Sequence, residues 1–252
     1  MESGVALAEG VVGLELADAV GLDEFWLGGS SMGGNIAGAF AARYPDRVRG
    51  LWLIAPLGVA SAQASGTDRL REARGKPPLI IERPDQFEEM ISLVVEQRPW
   101  IPEPALEFLA RDAAARYRHY LWVYGQIHVP GVPGNRPATP LEPLLEGSEL
   151  PTLIVWGEKD RVLHLSGANL LAQHLKESEV ELMPDVGHLP MLERPTETAA
   201  HYREQNIAAV IFPVDAERES GFRRYHNEEV LELTSDYDDV LIPFVSIDPH
   251  KG

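Results

Sequence analysis

A serine, an aspartate and a histidine, at positions 31, 160 and 188 of this 252-residue chain, stand where nucleophilic catalysis could be done. A serine hydroxyl is a weak nucleophile at neutral pH. It needs a general base within hydrogen-bond reach, and the base needs an acid to orient it. Ser31 lies in Gly29-Ser30-Ser31-Met32-Gly33, a G-x-S-x-G pattern. Its flanks set the context. Phe25-Trp26-Leu27 reads as a short apolar strand, and Ile36-Ala37-Gly38-Ala39-Phe40-Ala41-Ala42 as a helix of small residues. A sharp turn between strand and helix predicts strained backbone at Ser31, with Gly29 and Gly33 removing side chains that would clash. The Met32 N–H then points at a developing oxyanion, beside the positive end of the helix. A phosphate cradle is the other use of a glycine-rich loop in this position. It carries G-x-G-x-x-G or a lysine after the second glycine, and neither is present.

The elements around the other two residues place them alike. Thr152 to Trp156 is an apolar strand signal that runs into Gly157-Glu158-Lys159-Asp160. Val180 to Met183 is another, followed by Pro184-Asp185-Val186-Gly187-His188. Ser31, Asp160 and His188 thus each follow a strand, and in doubly wound sheets catalytic groups gather at the carboxyl ends of strands. Glu158 and Asp185 are the other acids of these two loops and stay open as alternatives to Asp160. None of the other histidines follows a strand in this way.

Between these elements the pattern alternates. Leu14 to Gly21 closes an amphipathic helix, Met32 to Tyr44 is a helix stopped at Pro45, and Val48 to Ala55 is a second buried strand. Ser166 to Lys176 is a helix, and a further helix is expected near Pro195. Alternation at these lengths implies a mainly parallel, doubly wound α/β sheet. From Leu57 to Leu150 the character changes to a helical insertion, with long helical patterns over Asp85–Glu96 and Pro104–Tyr124. Trp100, Ile101, Phe108, Leu109, Trp122 and Tyr124 could line an apolar substrate channel or pack the insertion's own core.

Composition narrows the function classes. A net charge of −17 argues against nucleic acid and anionic membrane as partners. The absence of cysteine excludes disulfides, thiolate metal sites and a cysteine nucleophile. No apolar window is long enough to span a bilayer, and the start lacks a basic region of the signal-peptide kind, so a cytoplasmic protein is expected.

The stretches GGSSMGGNIAGAFAARYPDRVRGLWLIAP, LPTLIVWGEKDRVL and MPDVGHLPMLERP together resemble the α/β-hydrolase superfamily, most of all its lipase/esterase and monoacylglycerol-lipase-like branch. The insertion resembles that branch's cap. The chain order Ser, Asp, His is that of the fold. The resemblance implies a partial α/β-hydrolase fold over residues 1–56 and 151–202, with a helical cap insertion over 57–150. It implies attack of Ser31 on the carbonyl of a small-molecule ester, His188 as base and Asp160 as its orienting acid. The Met32 amide would be one oxyanion donor, and neither cofactor nor metal is called for. The alternative reaction on the same three residues is carbon–carbon bond hydrolysis of aromatic ring-cleavage products, whose enzymes also carry an S-M-G-G elbow. Oligomeric state is not readable.

Two departures from that family are expected to matter. The elbow comes early, before any H-G-x-G-like loop that would supply a second oxyanion donor, so the chain reads as N-terminally truncated. Loss of one such donor typically costs ~10²–10³ in turnover. The elbow strand would then be an exposed apolar edge. The tail, 203–252, reads as strand (208–214), helix (227–235) and strand (240–247), a βαβ-like fragment. Ending on Asp-Pro-His-Lys-Gly, it resembles an early piece of the amidohydrolase barrels related to carboxymuconate-semialdehyde decarboxylase. Those barrels hold metal through residues that have no match here, and His250 alone is not a metal site. The pair of resemblances predicts two partial sequences joined near 196–206, and leaves an inactive fused product as a further alternative.

Overall fold

The computed structural model describes residues 13–15, 17–19, 21–98, 100–101, 103–128, 137, 139–195, 209–211 and 241–243, with Leu231 and Ser235. The chain divides into two compact units, one through Glu193 and one from Arg194.

The first unit is built on a four-stranded parallel sheet in the order β1-β2-β3-β4: Phe25–Ser30, Val48–Ile54, Thr152–Gly157 and Ser178–Met183. β2, VRGLWLI, is buried at every position but Arg49, which is why it reads as an apolar run rather than an alternation. α1 (Met32–Arg43) connects β1 to β2, and α7 (Ser166–Ala172) connects β3 to β4. Both crossovers join parallel neighbours in the same direction, so their common right-handedness puts both helices on one face. The core lies there. Ala37, Phe40 and Ala41 of α1 meet Leu51 and Leu53 of β2, Ile154 and Trp156 of β3, and Leu171 of α7. Trp156 is fully buried, and its indole N–H donates to the Leu163 carbonyl, 3.2 Å. Among the described residues β1 pairs with β2 alone, and Trp26 of β1 is 48% exposed.

The segment between β2 and β3 is helical, with α2 (Gly66–Arg74), α3 (Phe87–Val94), α4 (Glu103–Ala115), α5 (Tyr117–Ile127) and α6 (Glu142–Leu145). Its outlines differ from the expected ones in three places. The pattern over Asp85–Glu96 divides into a 3₁₀ turn, Pro84–Gln86, and α3. That over Pro104–Tyr124 breaks at Arg116, where ψ of 9° leaves the helical range. α2, Gly-Thr-Asp-Arg-Leu-Arg-Glu-Ala-Arg, was not anticipated because it has no apolar stripe. Its ends define it instead: the Ser65 hydroxyl accepts from the Asp68 N–H while the Asp68 carboxylate accepts from the Ser65 N–H, and Gly75 closes it at φ 70°. Ile81, Phe87, Leu106 and Ala110 form a small core of the cap's own.

In the second unit Ala209–Ile211 (β5) pairs in parallel with Leu241–Pro243 (β6), inside the two strands expected there. Most of the expected helix 227–235 and the Asp-Pro-His-Lys-Gly end lie outside the described residues, as does the proposed junction near 196–206. Among the described residues no helix is long and apolar enough to cross a membrane.

Candidate active site

Ser31 occupies the turn between β1 and α1 with φ 54° and ψ −117°, a conformation that L-residues rarely adopt. Strand geometry on one side and helix geometry on the other impose it. The Ser31 N–H donates to Ile54 O at 2.9 Å, and its carbonyl accepts from the Asn35 N–H at 3.2 Å and the Leu57 N–H at 2.8 Å. The turn is crowded, though not wholly where the sequence suggested. A Cβ at Gly29 would lie 2.2 Å from Gly33 O, so glycine is obligatory there. A Cβ at Gly33 would meet nothing within 4 Å; the tight contact belongs to Gly34, 2.8 Å from Pro56. Gly33 is therefore not needed for space, because helix α1 turns its side away from the strand. Met32 is the first residue of α1 and shares a cavity with Ser31.

Asp160 and His188 are brought together. His188 Nδ1 lies 2.8 Å from Asp160 Oδ2, with the acid side chain fully buried and the histidine 6% exposed. The other carboxylate oxygen accepts from the Val162 N–H, 2.7 Å, and the Leu163 N–H, 3.0 Å. An ionised carboxylate only accepts, so in a neutral imidazole Nδ1 carries the proton of this pair and the lone pair falls to Nε2. The alternatives Glu158 and Asp185 are both exposed. Main-chain bonds fix the two loops to each other: the Glu158 N–H donates to Met183 O and the Lys159 N–H to Val186 O. A Cβ at Gly157 would stand 2.0 Å from Gly187 O, so the loops touch backbone to backbone.

A cavity of about 120 Å³ opens beside Ser31 and Met32, and Val162 and Leu163, whose N–H groups hold Asp160, form part of its wall. Of the residues proposed to line an apolar channel, Tyr124 does so. Ile101 packs against the cap's own core, and Trp100, Phe108, Leu109 and Trp122 are exposed. The cavity also has a polar side. Arg71 Nη1 donates to the Tyr124 hydroxyl at 3.2 Å, and burial pushes that phenol above its ordinary value, the neighbouring guanidinium opposing. His128, which the sequence did not single out, lies stacked on Tyr124 with ring centroids 3.9 Å apart.

Other residues missed from sequence tie the cap to this centre. Asn35, buried in α1, donates to Leu57 O at 3.0 Å and Thr139 O at 2.8 Å, and so holds both ends of the cap next to the turn of Ser31. Arg161 donates to Ser92 O and pairs with Glu96. Glu193 accepts from three main-chain N–H groups. Their roles rest on contacts between segments far apart in sequence, for which the chain offers no local signal.

Residues 3–201 match the sequence model of the Alpha/beta hydrolase family. The chain belongs to that family. It is 34% identical over 181 residues to monoacylglycerol lipase ABHD6 of Homo sapiens, covering 69% of this chain and 52% of that protein. To Lipase 1 of Psychrobacter immobilis it is 32% identical over 192 residues, covering 75% and 58%. A solved structure described as a membrane phospholipase A, a bacterial virulence factor, superposes with a TM-score of 0.72 at 36% identity, over 79% of this chain and 62% of that one. The chain thus spans about half the length of the curated relatives it matches. Among the described residues no group of three His, Cys, Asp or Glu side chains is placed to hold a metal ion.

Proposed function

We propose that this hydrolase cleaves carboxylic esters, as a carboxylesterase or acylglycerol lipase, through Ser31, His188 and Asp160. The observation that carries the reading is the buried His188–Asp160 pair at the same end of the sheet as the strained serine turn. Asp160 holds the imidazole with Nε2 free to take the proton of Ser31 as the hydroxyl attacks the acyl carbonyl. The Met32 N–H donates to the resulting oxyanion. His188 returns the proton to the leaving alcohol, which departs and leaves the acyl-enzyme. Water, deprotonated by His188, then releases the acid and restores Ser31. The relatives named as lipases support an ester substrate. The cavity's apolar wall suits the acyl chain, and its Arg71–Tyr124 side suits the alcohol part.

The test is intact-mass analysis of the 252-residue chain after exposure to a fluorophosphonate, alongside turnover of a short-chain 4-nitrophenyl ester. One adduct on the wild type and none on Ser31→Ala is expected, with ester turnover abolished in the variant. Turnover indifferent to that substitution would sink the proposal. Decay of a ring-cleavage dienone without comparable ester turnover would assign carbon–carbon hydrolysis to the same residues.

A further inference from the structure

Glu193 lies five residues beyond His188 and is only 8% exposed, yet the proton transfers proposed above do not use it. Its Oε1 accepts from the Gly187 N–H at 2.9 Å. Its Oε2 accepts from the Glu96 and Gln97 N–H groups, each at 2.8 Å. Gly187 immediately precedes His188, whereas Glu96 and Gln97 belong to the cap, just past α3. The His188 N–H itself donates to Val94 O at 2.8 Å. The main chain that carries the imidazole is therefore fastened to cap segment 94–97 twice, once directly and once through a carboxylate. The short helix α8 (Pro190–Glu193) makes this possible: the Glu193 N–H donates to Leu189 O at 3.1 Å, and the turn folds the side chain back beneath the loop it follows.

Physical chemistry says why a carboxylate stands here. A buried acid is tolerated only where its lone pairs are met, and backbone N–H groups donating to a charged oxygen make the stronger kind of hydrogen bond. One side chain that accepts from two segments far apart in sequence fixes their separation, which an apolar residue of the same size cannot do. We infer that Glu193 is a positioning residue for the base, holding the His188 loop in register with the cap. The inference rests on the assignment of His188 proposed above. It implies that His188 is correctly placed only while segment 94–97 is seated, so cap placement and base placement are linked through one carboxylate.

Glu193→Gln keeps the volume and replaces one accepting oxygen by an NH2 group that must face an N–H. Glu193→Asp keeps the charge but falls one methylene short of spanning both segments. Each variant is assayed on a 4-nitrophenyl ester, with active sites titrated by the fluorophosphonate so that kcat is counted per competent site, and with thermal unfolding recorded beside it. A displacement of about 1 Å in a positioned group can cost 10²-fold, so kcat per site is expected to fall on the order of 10²-fold in Glu193→Gln and less in Glu193→Asp, with KM within about threefold of wild type. A kcat per site within twofold of wild type in either folded variant, whatever the loss in Tm, would overturn the inference and leave Glu193 as a stabilising residue only. If Glu193→Gln does not fold, Glu193→Asp decides alone. Absence of both ester turnover and labelling in the wild-type chain would overturn the hydrolase reading, and this inference with it.

Discussion

The loops at the carboxyl ends of β3 and β4 and the cap that covers them are held by different means. The loops are joined by main-chain hydrogen bonds and by a backbone approach so close that Gly157 admits no side chain. The cap has its own small core and, beyond scattered main-chain bonds such as that from the His188 N–H to Val94 O, is attached by side-chain anchors, chiefly Asn35, Arg161 and Glu193. Main-chain bonds, once Gly157 is in place, resist displacement and do not depend on which side chains stand beside them. Side-chain anchors can be lost one at a time. Substitutions in the first region should therefore strike the chemistry, whereas those in the second should strike stability and substrate fit, except at Glu193, whose carboxylate also binds the His188 loop.

Asp160→Asn should give the largest effect. An asparagine can still accept from Val162 and Leu163, but its NH2 group then faces His188 Nδ1. The imidazole must move its proton to Nε2, which is no longer a base. Loss of the orienting acid in such an arrangement costs about 10⁴-fold in kcat with the fold intact. Steady-state kinetics with circular dichroism checks this. A loss below tenfold would mean that Asp160 does not orient the base.

Asn35→Ala tests the boundary between the regions, because Asn35 sits one turn after Ser31 and yet serves the cap. Two buried amide hydrogen bonds go with it, and a buried bond contributes about 1 kcal/mol, more where its loss strands a polar group. The expected outcome is a loss of about 2–3 kcal/mol in chemical denaturation, accompanied by a rise in KM as the cap's two ends lose their common anchor. An unchanged KM would mean that the cap's ends are held well enough without it.

How much of this the sequence disclosed follows the same division. Within residues 25–54 and 152–183, β2 and β3 were legible because a buried parallel strand is an uninterrupted apolar run, and the turn of Ser31 because a sharp turn needs glycine. Both are local signals. Ser31, Asp160 and His188 could each be picked out from a strand followed by a loop. What was not legible depends on contacts between distant segments. Gly34, not Gly33, is the crowded glycine because Pro56, more than twenty residues away, stands over it. Glu193 and Asn35 show their purpose only when the cap segments they bind are in place. The split of Pro104–Tyr124 at Arg116 escaped for another reason, since both halves carry the same periodicity and no proline or glycine marks the break.

Helix α2 gives the smallest and most selective test. It has no apolar stripe, so its start depends on Ser65, which is buried and whose hydroxyl binds the Asp68 carboxylate at 2.7 Å, the Asp68 N–H at 3.1 Å and the Thr67 hydroxyl at 3.0 Å. Thr67 in turn donates to Val162 O, next to the N–H groups that hold Asp160. Ser65→Ala removes an N-cap, a change that typically costs about 1 kcal/mol. If the division between regions is sound, the cost appears as a lower midpoint of unfolding while kcat on a short ester stays within twofold, because the loop of Asp160 is held by its own backbone. A kcat loss on the order of 10-fold in the folded variant would show instead that the start of α2 props up the acid, and the line between scaffold and cap would have to be redrawn to put α2 with the sheet.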